Sequence, residues 1–180
     1  MFENFCKKSI NNYLDNNFDL TQLPSINPNS LTNHVGLYVS LFSGITARGC
    51  LGILQKTTDI PKTLAYLSIL AATRDDRYTP IKKNELIHIS VGVWRVDSII
   101  KVDQLKNINI KEQGVFMVGN KGSSIILPYV SVLYSLDHEK ILKELITKAK
   151  LCPQSINDLE FYALSAKYFG NNSLFSKWRS

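Results

Sequence analysis

Cysteine is scarce in this chain. Three thiols, Cys6, Cys50 and Cys152, are spread over 180 residues. An odd count with no close pair argues against a disulfide framework, and a reducing cytosol is the expected compartment. Long apolar runs are absent, since no stretch approaches ~18 uninterrupted apolar residues, so a membrane-spanning helix is not expected. The opening MFENFCKK lacks a basic segment followed by an apolar run, so neither a signal peptide nor a lipid anchor is expected.

Concentrated charge is lacking too. The formal net charge is +6, but the balances of residues 1–60, 61–120 and 121–180 are 0, +3 and +3. No basic arm or stripe emerges, which weakens a dedicated nucleic-acid surface. Metal-ligand spacings are missing: His34, His88 and His138 stand far apart, with no HxH, HExxH or CxxC. No GxGxxG or Walker pattern occurs, so no cofactor is evident, and no Ser–His–Asp signature stands out.

What remains is an ordinary globular composition, 44% hydrophobic and 20% charged, with enough chain for a substantial core. Phe2, Phe5, Cys6, Ser9, Ile10, Tyr13 and Leu14 recur at helical spacing, which places Cys6 in a core stripe. Residues 15–34, rich in Asn, Pro and Ser, read as an irregular connection. Gly36–Phe42 and Arg48–Leu54 read as a hairpin, and Asp59 caps a helix running to about Thr73. The alternation of Ile87, Ile89, Val91 and Val93 predicts a half-buried strand. A second hairpin turns at Gly119–Gly122, Asp137 caps a helix over 138–150, and Leu159–Phe169 reads as a last strand. This order is an α+β pattern, with helices packed on an antiparallel or mixed sheet.

Two clusters carry chemistry. In Arg48-Gly49-Cys50-Leu51-Gly52, a regular strand puts Arg48 and Cys50 on one face about 6.6 Å apart. A cation there favours the thiolate, the reactive form of cysteine. Gly49 and Gly52 would leave room for a ligand or another backbone. Equally, Cys50 could fill a small hole while the glycines serve sheet twist. The second cluster, Arg74-Asp75-Asp76-Arg77-Tyr78, reads either as a mutually paired helix exit or as a source of one free arginine for an anion at Cys50.

These segments, in this order, resemble the AMMECR family, the A component of the AmmeMemoRadiSam gene trio. The resemblance rests on Gly36–Leu41, Arg48–Gly52 and the run Ala71-Ala72-Thr73-Arg74-Asp75-Asp76-Arg77-Tyr78-Thr79-Pro80. It continues through Glu85-Leu86, Ile89-Ser90-Val91, Ile125–Pro128 and Asp137–Leu151. Ala47, Asp76, Leu136 and Lys150 depart from the usual leucine, proline, tryptophan and glycine.

The resemblance implies one domain over residues 1–180, built of a larger and a smaller closely packed subdomain with a groove between them, and a cytoplasmic location. It implies association with a Memo-type protein and a radical SAM protein in a modification pathway, and allows a weak link to RNA. Three roles follow. In the first, a thiol-dependent enzyme, Cys50 is the nucleophile, Arg48 stabilises its thiolate, and Arg77 orients an anionic substrate. In the second, a non-catalytic module binds through Gly49, Gly52, Arg74, Asp75 and Arg77. The third is an RNA-binding accessory protein.

Overall fold

A computed structural model describes residues 1–151 and 158–179; Cys152 lies outside the described residues. The chain forms two compact units, one of Met1–Val96 with Lys167–Ser180, the other of Asp97–Ala166. The class is α+β, and its paired strands run antiparallel.

The first unit begins with α1 (Phe2–Leu14), whose inner stripe of Phe2, Phe5, Cys6 and Ile10 is buried. Hairpin strands β1 (Gly36–Ser43) and β2 (Thr46–Ile53) follow. Gly44 adopts a positive φ of 58° in the turn, a conformation that costs glycine little. Helix α2 (Ile60–Thr73) starts where the Asp59 carboxylate accepts from Lys62 N–H, a cap worth about 1 kcal/mol. Strand β3 starts at Ile89 and extends to Val102. Its Ile89–Val96 portion pairs with β1, giving the strand order β2-β1-β3 in this unit.

Alternation along these strands separates two faces. Leu37, Val39, Leu41, Val91 and Val93 pack with α1 and α2 residues in one apolar core. Tyr38, Ser40 and Phe42 point to the opposite face. There Phe42 and Trp94 meet Tyr168, Phe175 and Trp178 from the end of the chain, with ring centroids 4.9–6.2 Å apart. The buried His34 has a defined tautomer: Nδ1–H donates to Leu31 O, and Nε2 accepts from Thr57 N–H.

The second unit contains β4 (Gly114–Gly119), β5 (Gly122–Ile126), α3 (Pro128–Leu133), α4 (His138–Lys148) and most of β6 (Glu160–Phe169). Its strands are ordered β6-β4-β5. Val115, Met117, Ile126, Ile141, Leu145 and Ala163 belong to its core. Helix α4 covers the outer strand β5, with Ser124 Oγ donating to Leu145 O at 2.8 Å. Asp137 caps α4 as the sequence predicts. Helix α3 is missed by periodicity, because six residues are too few to display a 3.6-residue repeat.

Candidate functional site

Strand β2 lies at the edge of its unit's sheet, so alternate peptide groups along it face away from β1. Cys50 supplies one of them. Its N–H donates to Asp75 Oδ2 at 2.8 Å, and its carbonyl accepts from Arg77 Nη2 at 2.7 Å. Asp75 and Arg77 thus do for Cys50 what a neighbouring strand would do, and they protect an otherwise open edge. Because these groups point outward, the Ser40–Cys50 pair is the close, non-hydrogen-bonded kind. The two side chains accordingly meet: Ser40 Oγ donates to Cys50 Sγ at 3.2 Å. Ser40 is fully buried, while Cys50 is half-buried.

The bracket is internally fastened. Arg77 Nε donates to Asp75 Oδ1 at 2.8 Å and Nη2 to Oδ2 at 2.6 Å. The Asp75 side chain is 2% exposed and that of Arg77 35%. Burial opposes ionisation of Asp75, but the Arg77 guanidinium and the Cys50 N–H outweigh it and hold the carboxyl below its ordinary value of 3.8. Burial likewise opposes the charge on Arg77, and Asp75 overrides it. A carboxyl lowered on folding contributes stability that is complete above its unfolded value and is lost as pH falls through the folded one. Urea denaturation of the wild type should therefore show a loss of stability below pH 3.8. Asp75→Asn should lack the Asp75 share of that loss, and parallel acid limbs in the two proteins would count against the bracket.

Three expectations change. Arg48 does not sit beside the thiol. Leu41 pairs with Gly49 and Phe42 with Ala47, which leaves Arg48 as the extra residue of a β-bulge and breaks the two-residue alternation there. Its guanidinium donates to Glu85 Oε1 at 2.8 Å and to the Thr79 carbonyl. Among the described residues no hydrogen bond or ion pair joins it to Cys50. The charge that faces Cys50 is that of Arg77.

Nor do the glycines leave open space. A Cβ on Gly49 would lie 2.1 Å from the Ala71 carbonyl oxygen of α2, and one on Gly52 2.2 Å from the Tyr38 ring. Both glycines are occupied by packing within the protein. Arg74 also stays apart: it is exposed at the end of α2 and makes no side-chain ion pair among the described residues. The structure therefore gathers Asp75, Arg77 and Cys50, with Gly49 and Gly52 beneath them, and adds Ser40 and Tyr38, which the sequence reading leaves out. Their signal was available in the hairpin register, which sets residues 38 and 40 opposite 52 and 50.

Among the described residues no three His, Cys, Asp or Glu side chains form a metal-binding group. No described helix is long and apolar enough to cross a membrane. What the arrangement offers is a half-buried cysteine held by both main-chain groups, a buried hydroxyl on its sulfur, and a guanidinium at its edge. Arg77 spends three of its N–H groups on Asp75 and the Cys50 carbonyl, so among the described residues the two on Nη1 remain for another acceptor.

The AMMECR1 family model matches residues 3–169. A protein of Thermoplasma acidophilum is 30% identical over 118 residues, covering 63% of this chain and 57% of its own length. One of Methanocaldococcus jannaschii is 30% identical over 130 residues, covering 68% of this chain and 65% of its own. The chain thus spans less than two thirds of the length of these curated relatives. The crystal structure of an uncharacterised protein from Pyrococcus horikoshii superposes with a TM-score of 0.77 at 23% identity, covering 95% of this chain and 90% of that one. That likeness shows a shared fold.

Proposed function

That this chain belongs to the AMMECR1 family is the premise from which we propose its role: a component of an AmmeMemoRadiSam-type modification pathway, with the Cys50 thiol of the RGCxG motif as its reacting or carrying group. The observation that carries the reading is the setting of Cys50, a half-buried residue whose N–H and carbonyl are gripped by Asp75 and Arg77 while its sulfur accepts from Ser40. A merely space-filling cysteine needs none of this; Cys6 is such a residue, fully buried, its thiol pushed up to about 12 chiefly by burial. In the proposed role Arg77 receives a polar group of the substrate on Nη1, and Arg48 holds β2 to the Thr79–Glu85 segment. A Memo-type protein and a radical SAM protein would act before or after it.

Peptide-resolved labelling with iodoacetamide at neutral pH tests the thiol. Cys50 is expected to react at least several-fold faster than glutathione, and Cys6 far more slowly. A Cys50 rate at or below that of glutathione would sink the reactive-thiol reading. Co-purification from the native source tests the pathway: failure to recover either expected partner removes the association while leaving the thiol result standing.

A further inference from the structure

Tyr38 presents a hydroxyl that is unpaired among the described residues. The residue is 7% exposed, and its hydroxyl forms no hydrogen bond among the described residues. The register explains where it lies. Tyr38 pairs with Gly52 as Ser40 pairs with Cys50, so Tyr38, Ser40, Cys50 and Gly52 form one patch on one face of the hairpin. The Tyr38 ring lies across Gly52, its Cγ and Cδ1 within 2.3 Å of where a side chain there would begin. That lay sets the ring over β2 two residues from Cys50, whose carbonyl Arg77 grips. Burial first, and then the charge of Cys50, pushes the Tyr38 phenol up, so at neutral pH it keeps its proton and acts as a donor.

Resting on the reactive-thiol reading above, we propose that Tyr38 completes the Cys50 site as its ligand-facing donor, and that the ligand class is a carbonyl compound bearing a carboxylate, an oxo acid. Each part of such a ligand has a counterpart. The carbonyl carbon meets Sγ, the carbonyl oxygen takes the Tyr38 hydrogen bond, and the carboxylate takes the free N–H groups of Arg77 Nη1. The step is a reversible addition. The thiol gives up its proton, an S–C bond forms, and the C=O π pair moves to oxygen, which takes up that proton. No leaving group and no oxidant or reductant is required. Gly52 has a structural purpose in this arrangement: any side chain there would displace the Tyr38 ring.

Glyoxylate is the probe, read as protection of Cys50 from iodoacetamide. Expected in the wild type is protection at concentrations at least tenfold below those that protect glutathione, with acetaldehyde and acetate each much weaker. Tyr38→Phe keeps the ring on Gly52 and removes only the hydroxyl. It should raise the half-protecting glyoxylate concentration about tenfold, the loss of one hydrogen bond to a polarised acceptor. Equal protection in Tyr38→Phe and wild type overturns the role of Tyr38. Protection no better than that of glutathione overturns the oxo-acid class and leaves the thiol reading intact, because that reading stands or falls on the unprotected rate.

Discussion

Gly49→Ala is expected to destabilise the protein by about 3 kcal/mol, at the upper end of what overpacking ordinarily costs. In a chain of this size that corresponds to a melting temperature roughly 6–12 °C lower. The added methyl would lie 2.1 Å from the carbonyl oxygen and 3.0 Å from the carbonyl carbon of Ala71. Both are backbone atoms of α2, which no rotamer change can move aside. Relief requires α2 and β2 to separate, and α2 leads directly into the segment bearing Asp75 and Arg77. The same variant should therefore weaken the hold on Cys50 and slow or randomise its labelling. Gly44→Ala is the control: nothing lies within 4 Å of its Cβ, and only its φ of +58° opposes the change, at a cost of about 1–2 kcal/mol. If thermal melts rank Gly44→Ala as the worse of the two, the close approach of α2 to β2 is not the constraint described.

Asp75→Asn should be nearly as damaging, although it preserves shape. Both carboxylate oxygens accept: Oδ2 from the Cys50 N–H and Arg77 Nη2, Oδ1 from Arg77 Nε. An asparagine must turn its NH2 toward one set of donors or the other, so neither amide orientation satisfies the bracket. It also leaves a partly buried guanidinium without its counter-charge. Breaking a buried pair from one side costs about 3–5 kcal/mol; the partial exposure of Arg77 places the expectation near the lower figure. Denaturant unfolding measures it, and a loss under 1 kcal/mol would falsify the bracket. A double-mutant cycle with Arg77→Ala should show the two losses to be far from additive, because each residue acts through the other.

The sequence made the elements of the hairpin, the two capped helices and the last strand legible, because period and capping chemistry are local. It also singled out Cys50, Asp75 and Arg77. What it could not show is the form of their union. The Arg-Asp-Asp-Arg run offered charge partners among its own members, yet the decisive partner is a peptide group 25 residues away. Main-chain groups carry no sequence signature, so such a partner is invisible until the edge of the sheet is known. Arg48 was misplaced for a related reason: one extra residue between Gly49 and Ala47 shifts the alternation, and nothing in the letters marks it. Gly52 looked like open space because a glycine records the absence of its own side chain and not the arrival of another; the Tyr38 ring fills it from across the hairpin.

The bracket takes hold of residue 50 by its main chain, and its side chain takes a hydrogen bond from Ser40. The position therefore behaves as a mount: serine, alanine or selenocysteine there would be presented from the same anchored peptide in the same direction. Architecture and chemistry become separable at that one residue. Serine and selenocysteine at position 50 should keep the backbone pose and a partner for the buried Ser40 hydroxyl while differing in what they react with, so that loss of activity can be read as loss of the sulfur itself.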